Sequence, residues 1–389
     1  MRVALFHATF DEAGGGERLA LSMARALVEL GNEVDLYTTH VDPKSWNLIA
    51  QGCRLSPRLV PEGALARLVR AAAGPGMTRL RRLLAVRAAL PRIRRMLAEG
   101  EYDVAVETQS NVPSKLDASY IHFPATIDYM TSVVGSRPGL SRRAYDWAIR
   151  RLASSVQGRP LIVMTNSAWT EAKIREAYGD LRVNVVYPPV DVEELGSASR
   201  PVRENLVLTV SRFTPEKRLD AIVDVARLVP EATFYIVGST SSYSRPIIEG
   251  IRARADALGV KNVTIETDVP RRRLVELMGS AKVYLHPPFP EHFGIAIAEG
   301  AAAGAVPVVY RDGGGWTDIA SRVDPMLGYT TVDEAAGIIR DLLADSDKLR
   351  RLSSRAVEVA KGFSYSSFKG RVSQVFSELA KLKFAGPSP

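Results

Sequence analysis

Cysteine is almost absent. Among 389 residues there is one, Cys53, which excludes an internal disulfide framework and points to a reducing compartment. Histidine is scarce as well. The five, His7, His40, His122, His286 and His292, show no HExxH or other close metal-ligand spacing, which argues against a structural zinc site. No apolar run approaches the roughly 20 residues needed to span a bilayer. The opening RVALFHAT has none of the charged leader, long apolar run and small-residue cleavage site of a signal peptide, so a cytoplasmic protein is expected. The first strand-to-helix turn also lacks GxGxxG, the fingerprint that a dinucleotide-dependent oxidoreductase should carry there.

What is present is an ordinary globular composition, 46% hydrophobic and 24% charged, in a chain long enough for two domains of roughly 150–200 residues each. The net charge of +8 is unevenly spread. Between Gly63 and Leu97 there are nine arginines, from Arg67 to Arg95, and no acid. They alternate with leucine, isoleucine and valine, which reads as helical-hairpin material with a basic and an apolar face. Such a face suits an anionic membrane surface. A solvated helix beside an ordinary core is the simpler alternative, and a basic face also serves phosphate ligands. Nucleic acid is not expected, because the segment has no aromatic residue for base stacking and no zinc-finger spacing.

Strand-like and helix-like segments alternate along the chain. Strands are expected at Val3–His7, Val34–Thr38, Val104–Glu107, Ser119–His122 and Leu161–Thr165, with helices at Gly16–Leu30 and Ala168–Tyr178. The consecutive prolines of VVYPPVDVEEL, 185–195, stop regular structure and mark a boundary. Beyond them the pattern repeats. Strands fit Leu206–Val210, Thr233–Val237, Val263–Glu266, Val283–His286 and Val306–Tyr310, and helices fit Leu219–Val229, Pro246–Leu258, Arg272–Gly279, Gly294–Ala303 and Thr331–Ala344. The expectation is an α/β protein of two doubly wound, Rossmann-like domains facing one cleft, 1–188 and 189–365, with a terminal helix, 366–389, packing back on the first.

Four stretches carry chemistry. DEAGGGERLA, 11–20, follows the first strand; Gly15 and Gly16 let backbone approach a ligand, and free N–H groups at the helix start favour an anion. VSRFTPEKRLD, 210–220, puts Arg212 and Lys217 on the loop after the first strand of the second domain, where a guanidinium and an ammonium suit two phosphates. PFPEHFGIAIAEG, 288–300, places Glu291 on a loop after a strand and Glu299 on the following helix among small residues. The spacing alone occurs by chance, but a carboxylate there can accept hydrogen bonds from vicinal hydroxyls of a ribose or a sugar. YRDGGGWTDI, 310–319, is a further glycine run after a strand, either a backbone contact to ligand or a plain turn. The Asp–x–Asp at Asp345–Ser346–Asp347 sits at a helix junction and reads as capping, so no metal and no cofactor are expected.

These blocks, in this order, resemble retaining glycosyltransferases of the GT-B fold, specifically family 4, over nearly the whole chain. The resemblance implies that Arg212 and Lys217 hold a nucleotide diphosphate, that Glu291 contacts the transferred sugar and Glu299 the ribose, and that the amides of His292, Phe293 and Gly294 meet sugar and phosphate. It also puts His122, in YIHFP, at the sugar's outer hydroxyl. The wording GGGER, YIHFP, TNSAWT, FTPEK and EHFGIAIAE is similar to α-1,2-mannosyltransferases that extend dolichol-linked oligosaccharides with GDP-mannose. Implied partners are a nucleotide-sugar donor and a glycan or lipid-linked acceptor, with membrane attachment through the arginine-rich segment. Alternatives are a transferase using a UDP- or ADP-sugar, a sugar-nucleotide hydrolase or epimerase of the same fold, and a non-catalytic carbohydrate- or nucleotide-binding protein.

Overall fold

Short apolar runs that carry little polar alternation can be buried on both faces only in a parallel sheet covered by helices, and both halves of the chain build one. The computed structural model describes residues 1–50, 55–72, 77–127, 140–200, 203–241 and 244–384. Cys53 and residues 73–76 of the arginine-rich segment lie outside them. The chain divides into two units, Met1–Pro188 with Phe368–Pro389, and Pro189–Ser367.

In the first unit seven parallel strands lie in the order Arg58–Leu59, Glu33–Thr38, Arg2–Phe6, Val104–Glu107, Ala118–Ile121, Ile162–Thr165 and Val183–Val185. The second unit orders six as Val263–Thr267, Thr233–Gly238, Leu206–Val210, Val283–Leu285, Val306–Tyr310 and Gly328–Tyr329. Each sheet starts at its third strand, runs back to its first, then jumps to its fourth. The direction of winding therefore reverses between Arg2–Phe6 and Val104–Glu107, and again between Leu206–Val210 and Val283–Leu285. At such a reversal the loops leaving two adjacent strands part around a crevice, the usual ligand position in this architecture. In the second unit those loops are 211–219 and 286–294, which carry Lys217 and Glu291.

The longer elements fall within a residue or two of their expected limits. The sequence pattern missed Val183–Val185, Gly328–Tyr329, the two-residue pair Thr9–Phe10 with His40–Val41, and the short helices Pro43–Ile49 and Val192–Ser197. Each is too short to show a period. The helix Leu140–Val156 was also not anticipated. At the carboxyl end two helices, Ser346–Lys361 and Tyr365–Phe384, are separated at Gly362–Ser364. Asp345 caps the first, accepting from the amides of Asp347 and Lys348. The second buries Phe368, Val372, Val375, Phe376 and Leu379 and makes ion pairs within the first unit, Lys369 with Glu29 at 3.0 Å, Glu378 with Arg182 at 2.7 Å and Lys383 with Asp117 at 2.8 Å. Surface pairs of this kind contribute roughly 0–1 kcal/mol each, so the apolar face dominates its attachment.

The arginine-rich segment forms two helices, Ala64–Ala72 and Thr78–Ala98, but not with one continuous basic face. Arg70, Arg81 and Arg82 reach Glu62, Asp11 and Glu17 at 3.0, 2.5 and 2.9 Å, and Arg79 donates to the carbonyl of Ala125. Three acids with little solvent access require cations nearby, and this segment supplies them. Val86, Leu90, Ile93 and Met96 join Phe6, Tyr37 and Tyr102 in the core. Arg67, Arg87, Arg92, Arg94 and Arg95 remain exposed, as do Leu65 and Leu68.

Candidate active site

In the second unit the turn Pro215–Lys217 follows the strand Leu206–Val210 and delivers Lys217 into a nearly buried position. Its ammonium donates to Glu291 Oε2 at 2.6 Å and lies 4.4 Å from the centre of the Phe289 ring. Burial alone would raise the Glu291 carboxyl, but the Lys217 ammonium, with His286 and His292, holds it at about 2. His286 and His292 are each lowered to about 4, chiefly by burial. Both are neutral at neutral pH. His286 donates from Nε2 to the Phe289 carbonyl at 3.0 Å, shaping the loop that presents Glu291. Arg212, on the same loop as Lys217, is exposed and forms no ion pair among the described residues.

Two glycines make this loop possible. Gly294 ends it with φ of 94°, a left-handed conformation that leads into the helix Ile295–Ala302. Gly313, at φ of 90°, lies so close to Glu291 that a Cβ there would fall 2.6 Å from the Glu291 amide nitrogen and carbonyl oxygen. The next amide, Gly314, donates to that carbonyl. Gly313 and Gly314 therefore brace the backbone of Glu291, a role that the sequence did not reveal.

Glu299, proposed from the sequence as a ribose contact, already has a side-chain partner. Its Oε1 accepts from Arg271 at 2.8 Å, and Arg271 also donates to Glu194 Oε2 at 2.6 and 3.0 Å. Neither Arg271 nor Glu194 was singled out in the sequence. Both stand in elements whose charges look like ordinary surface decoration.

In the first unit Gly14 precedes the helix Gly15–Glu29. A Cβ on Gly16 would lie 3.5 Å from His122 Nε2, so the glycine loop and His122 are neighbours. That nitrogen donates to the Thr108 carbonyl at 3.1 Å, and burial, with the His7 charge, lowers His122 to about 4. Beside it lies a closed network. Glu17 Oε1 accepts from Arg82 at 2.9 Å and Gln109 at 3.2 Å, while His7 is 3.9 Å away and bonded through Nδ1 to the Thr108 hydroxyl at 2.9 Å. Burial would raise Glu17, but His7 and Arg82 hold it at about 2. Nearby, Glu107 is fully buried and accepts from the amides of Gln109 and Ser110, both at 2.6 Å, and from the Ser110 hydroxyl.

Two family models divide the chain between them. The model described as Glycosyltransferase Family 4 matches residues 13–194, and the one described as Glycosyl transferases group 1 matches residues 193–359. The chain belongs to glycosyltransferase family 4. Among curated relatives of this family 4 chain, the Neurospora crassa GDP-Man:Man(3)GlcNAc(2)-PP-Dol alpha-1,2-mannosyltransferase is 29% identical over 317 residues, covering 68% of this chain and 57% of that protein. The Dictyostelium discoideum protein of the same name is 26% identical over 290 residues, covering 65% and 57%. The chain thus spans little more than half the length of these relatives. Among solved structures, Anabaena HepE in complex with UDP-glucose superposes with a TM-score of 0.70 at 17% identity, covering 97% of this chain and 100% of that one. WaaG, a glycosyltransferase involved in lipopolysaccharide biosynthesis, gives 0.68 at 18% identity, covering 99% and 100%. These likenesses establish the GT-B fold of the family 4 chain.

Proposed function

We propose that this protein is a retaining hexosyltransferase that moves mannose from GDP-mannose to a lipid-linked glycan. The observation that carries the reading is the Lys217–Glu291 pair, 2.6 Å apart at the winding reversal of the second sheet. The names of the curated relatives supply the donor and the acceptor class. In this reading Arg212 and Lys217 hold the diphosphate with the amides of Gly15, Gly16, His292, Phe293 and Gly294, Glu291 and His122 hold the sugar, and Glu299 holds the ribose. The first unit binds the acceptor and the second the nucleotide sugar.

The chemistry needs no protein nucleophile. The bond from the sugar's anomeric carbon to the phosphate oxygen breaks, and the acceptor hydroxyl attacks on the same face. Its proton passes to the leaving diphosphate. Lys217 and Arg212 stabilise the charge that develops on that diphosphate, and binding it draws Lys217 from Glu291 towards phosphate. The freed carboxylate can then accept from a sugar hydroxyl.

Attachment to an anionic membrane is assigned to the helix Ala64–Ala72, where exposed Leu65 and Leu68 lie beside exposed Arg67. No helix among the described residues is long and apolar enough to cross a membrane. Transfer assays with GDP-mannose, UDP-glucose and ADP-glucose and a lipid-linked oligosaccharide test the proposal. Product with GDP-mannose alone supports it. Transfer only from a UDP- or ADP-sugar rejects the mannosyl donor, and donor breakdown without acceptor points to a hydrolase.

A further inference from the structure

The helix Arg271–Ser280 begins with three arginines, Arg271, Arg272 and Arg273. Cations at a helix amino terminus oppose the helix dipole. Arg273 is answered locally by Glu266 at 2.6 Å, seven residues before it. Arg271 is different. Its partners, Glu194 and Glu299, are 77 and 28 residues away and come from two other helices. Its Nε and one terminal nitrogen converge on Glu194 Oε2, while the other terminal nitrogen reaches Glu299 Oε1. A planar fork fixes the directions of both acids at once, whereas a lysine ammonium is a compact point charge with rotatable donors that sets neither direction.

Glu299 needs such a partner. Its neighbours one turn away on either side, Ile295, Ala296, Ala302 and Ala303, have no side-chain group that could fix the direction of its carboxylate. Glu194 is itself anchored, because the side chain of Asp191, the cap of the helix Val192–Ser197, accepts from the Glu194 amide at 3.0 Å. Orientation thus passes from the cap to Glu194, to Arg271, to Glu299. A carboxylate has about four acceptor sites, so one guanidinium bond and two vicinal hydroxyls can share it.

We infer that Arg271, clamped by Glu194, is the positioning residue that presents the Glu299 carboxylate to the ribose of the donor nucleotide. The inference rests on the ribose role proposed above for Glu299. Arg271 acts through Glu299, so its effect follows the ribose hydroxyls and falls on donor binding more than on turnover.

Calorimetric titration of the whole protein with GDP, UDP and ADP identifies the tightest diphosphate, which is then compared with its 2′,3′-dideoxy form. Arg271→Met is expected to weaken the diphosphate about tenfold, the worth of one charge-assisted hydrogen bond, and to leave the dideoxy form almost unchanged. Arg271→Lys should lose nearly as much, Glu194→Gln less, and the donor KM should rise in each with little change in kcat. Equal weakening of both nucleotides would make Arg271 a scaffold residue and overturn the inference, as would no weakening of either. Glu299→Gln separates the two levels. If it leaves the preference for the ribose form intact, the ribose role of Glu299 fails. If it abolishes that preference while Arg271→Met does not, only the inference about Arg271 fails. A wild type that binds none of the three diphosphates defeats both.

Discussion

Glu17 and Glu291 both stand at the carboxyl edge of a parallel sheet near its winding reversal, each beside a cation and a buried histidine. Burial would raise both carboxyls, and neighbouring positive groups hold both at about 2. They differ in what else surrounds them. The Glu17 side chain is 4% exposed and accepts from Arg82 and Gln109; the Glu291 side chain is 26% exposed and accepts from Lys217. The same topology thus builds a closed brace in one unit and, in the other, a carboxylate with solvent access on a loop held in place by glycine. The comparison teaches that a perturbed carboxylate does not by itself mark a site; its access does.

The largest expected effect is on turnover. Glu291→Ala and Lys217→Ala should each lower transfer from GDP-mannose by about 100- to 1,000-fold, the scale for losing one preorganised charge contact in a transition state. Near-normal turnover in both would remove the second-unit pair from the chemistry. Next comes stability. Glu17→Ala strips Arg82 of its partner in a nearly closed setting and should cost about 3 kcal/mol in denaturant unfolding, more than Glu291→Ala does. If the order is reversed, Glu17 is not the brace described here.

A pH-dependent effect concerns Glu107, whose carboxyl is pushed up to about 7 by burial, against the hydrogen bonds from Ser110 and the backbone amides. Its folded form keeps a proton that the unfolded chain releases above about 4.5, so this residue lowers stability progressively as pH rises from 4.5 through 7. Glu17 and Glu291 have the opposite sign. Their contribution is complete above about 4.5 and is lost as pH falls towards 2. Glu107→Gln should therefore match the wild type near pH 4.5 and gain on it towards pH 7.5 in urea unfolding. A constant difference across that range would contradict the assignment.

Much of the fold could be read from the chain because parallel strands are continuous apolar runs, such as Val306–Tyr310, and the helices between them are long enough to show a period. The gathering of Lys217 with Glu291 also follows, since the loops after the first and fourth strands meet at the winding reversal. Partnership inside charge-rich segments was not legible. Nine arginines without an acid read as one basic surface, yet Arg70, Arg81 and Arg82 are answered by acids close by in space but outside the segment itself. Arg271 and Glu194 were hidden for the same reason: exposed charges carry no period, and only the fold shows which of them meet. The glycine run was read as a ligand contact or a plain turn, whereas Gly313 closely approaches the Glu291 backbone and Gly314 donates to its carbonyl.

The proposed activity makes one stereochemical commitment, that departure of the diphosphate and attack by the acceptor occur on the same face of the sugar. Proton NMR of the product formed from GDP-α-mannose and a lipid-linked oligosaccharide reads it directly. An α-mannoside made by the wild type, and lost in Glu291→Ala, is the predicted result; a β-mannoside, or free mannose with the acceptor unchanged, would contradict the account.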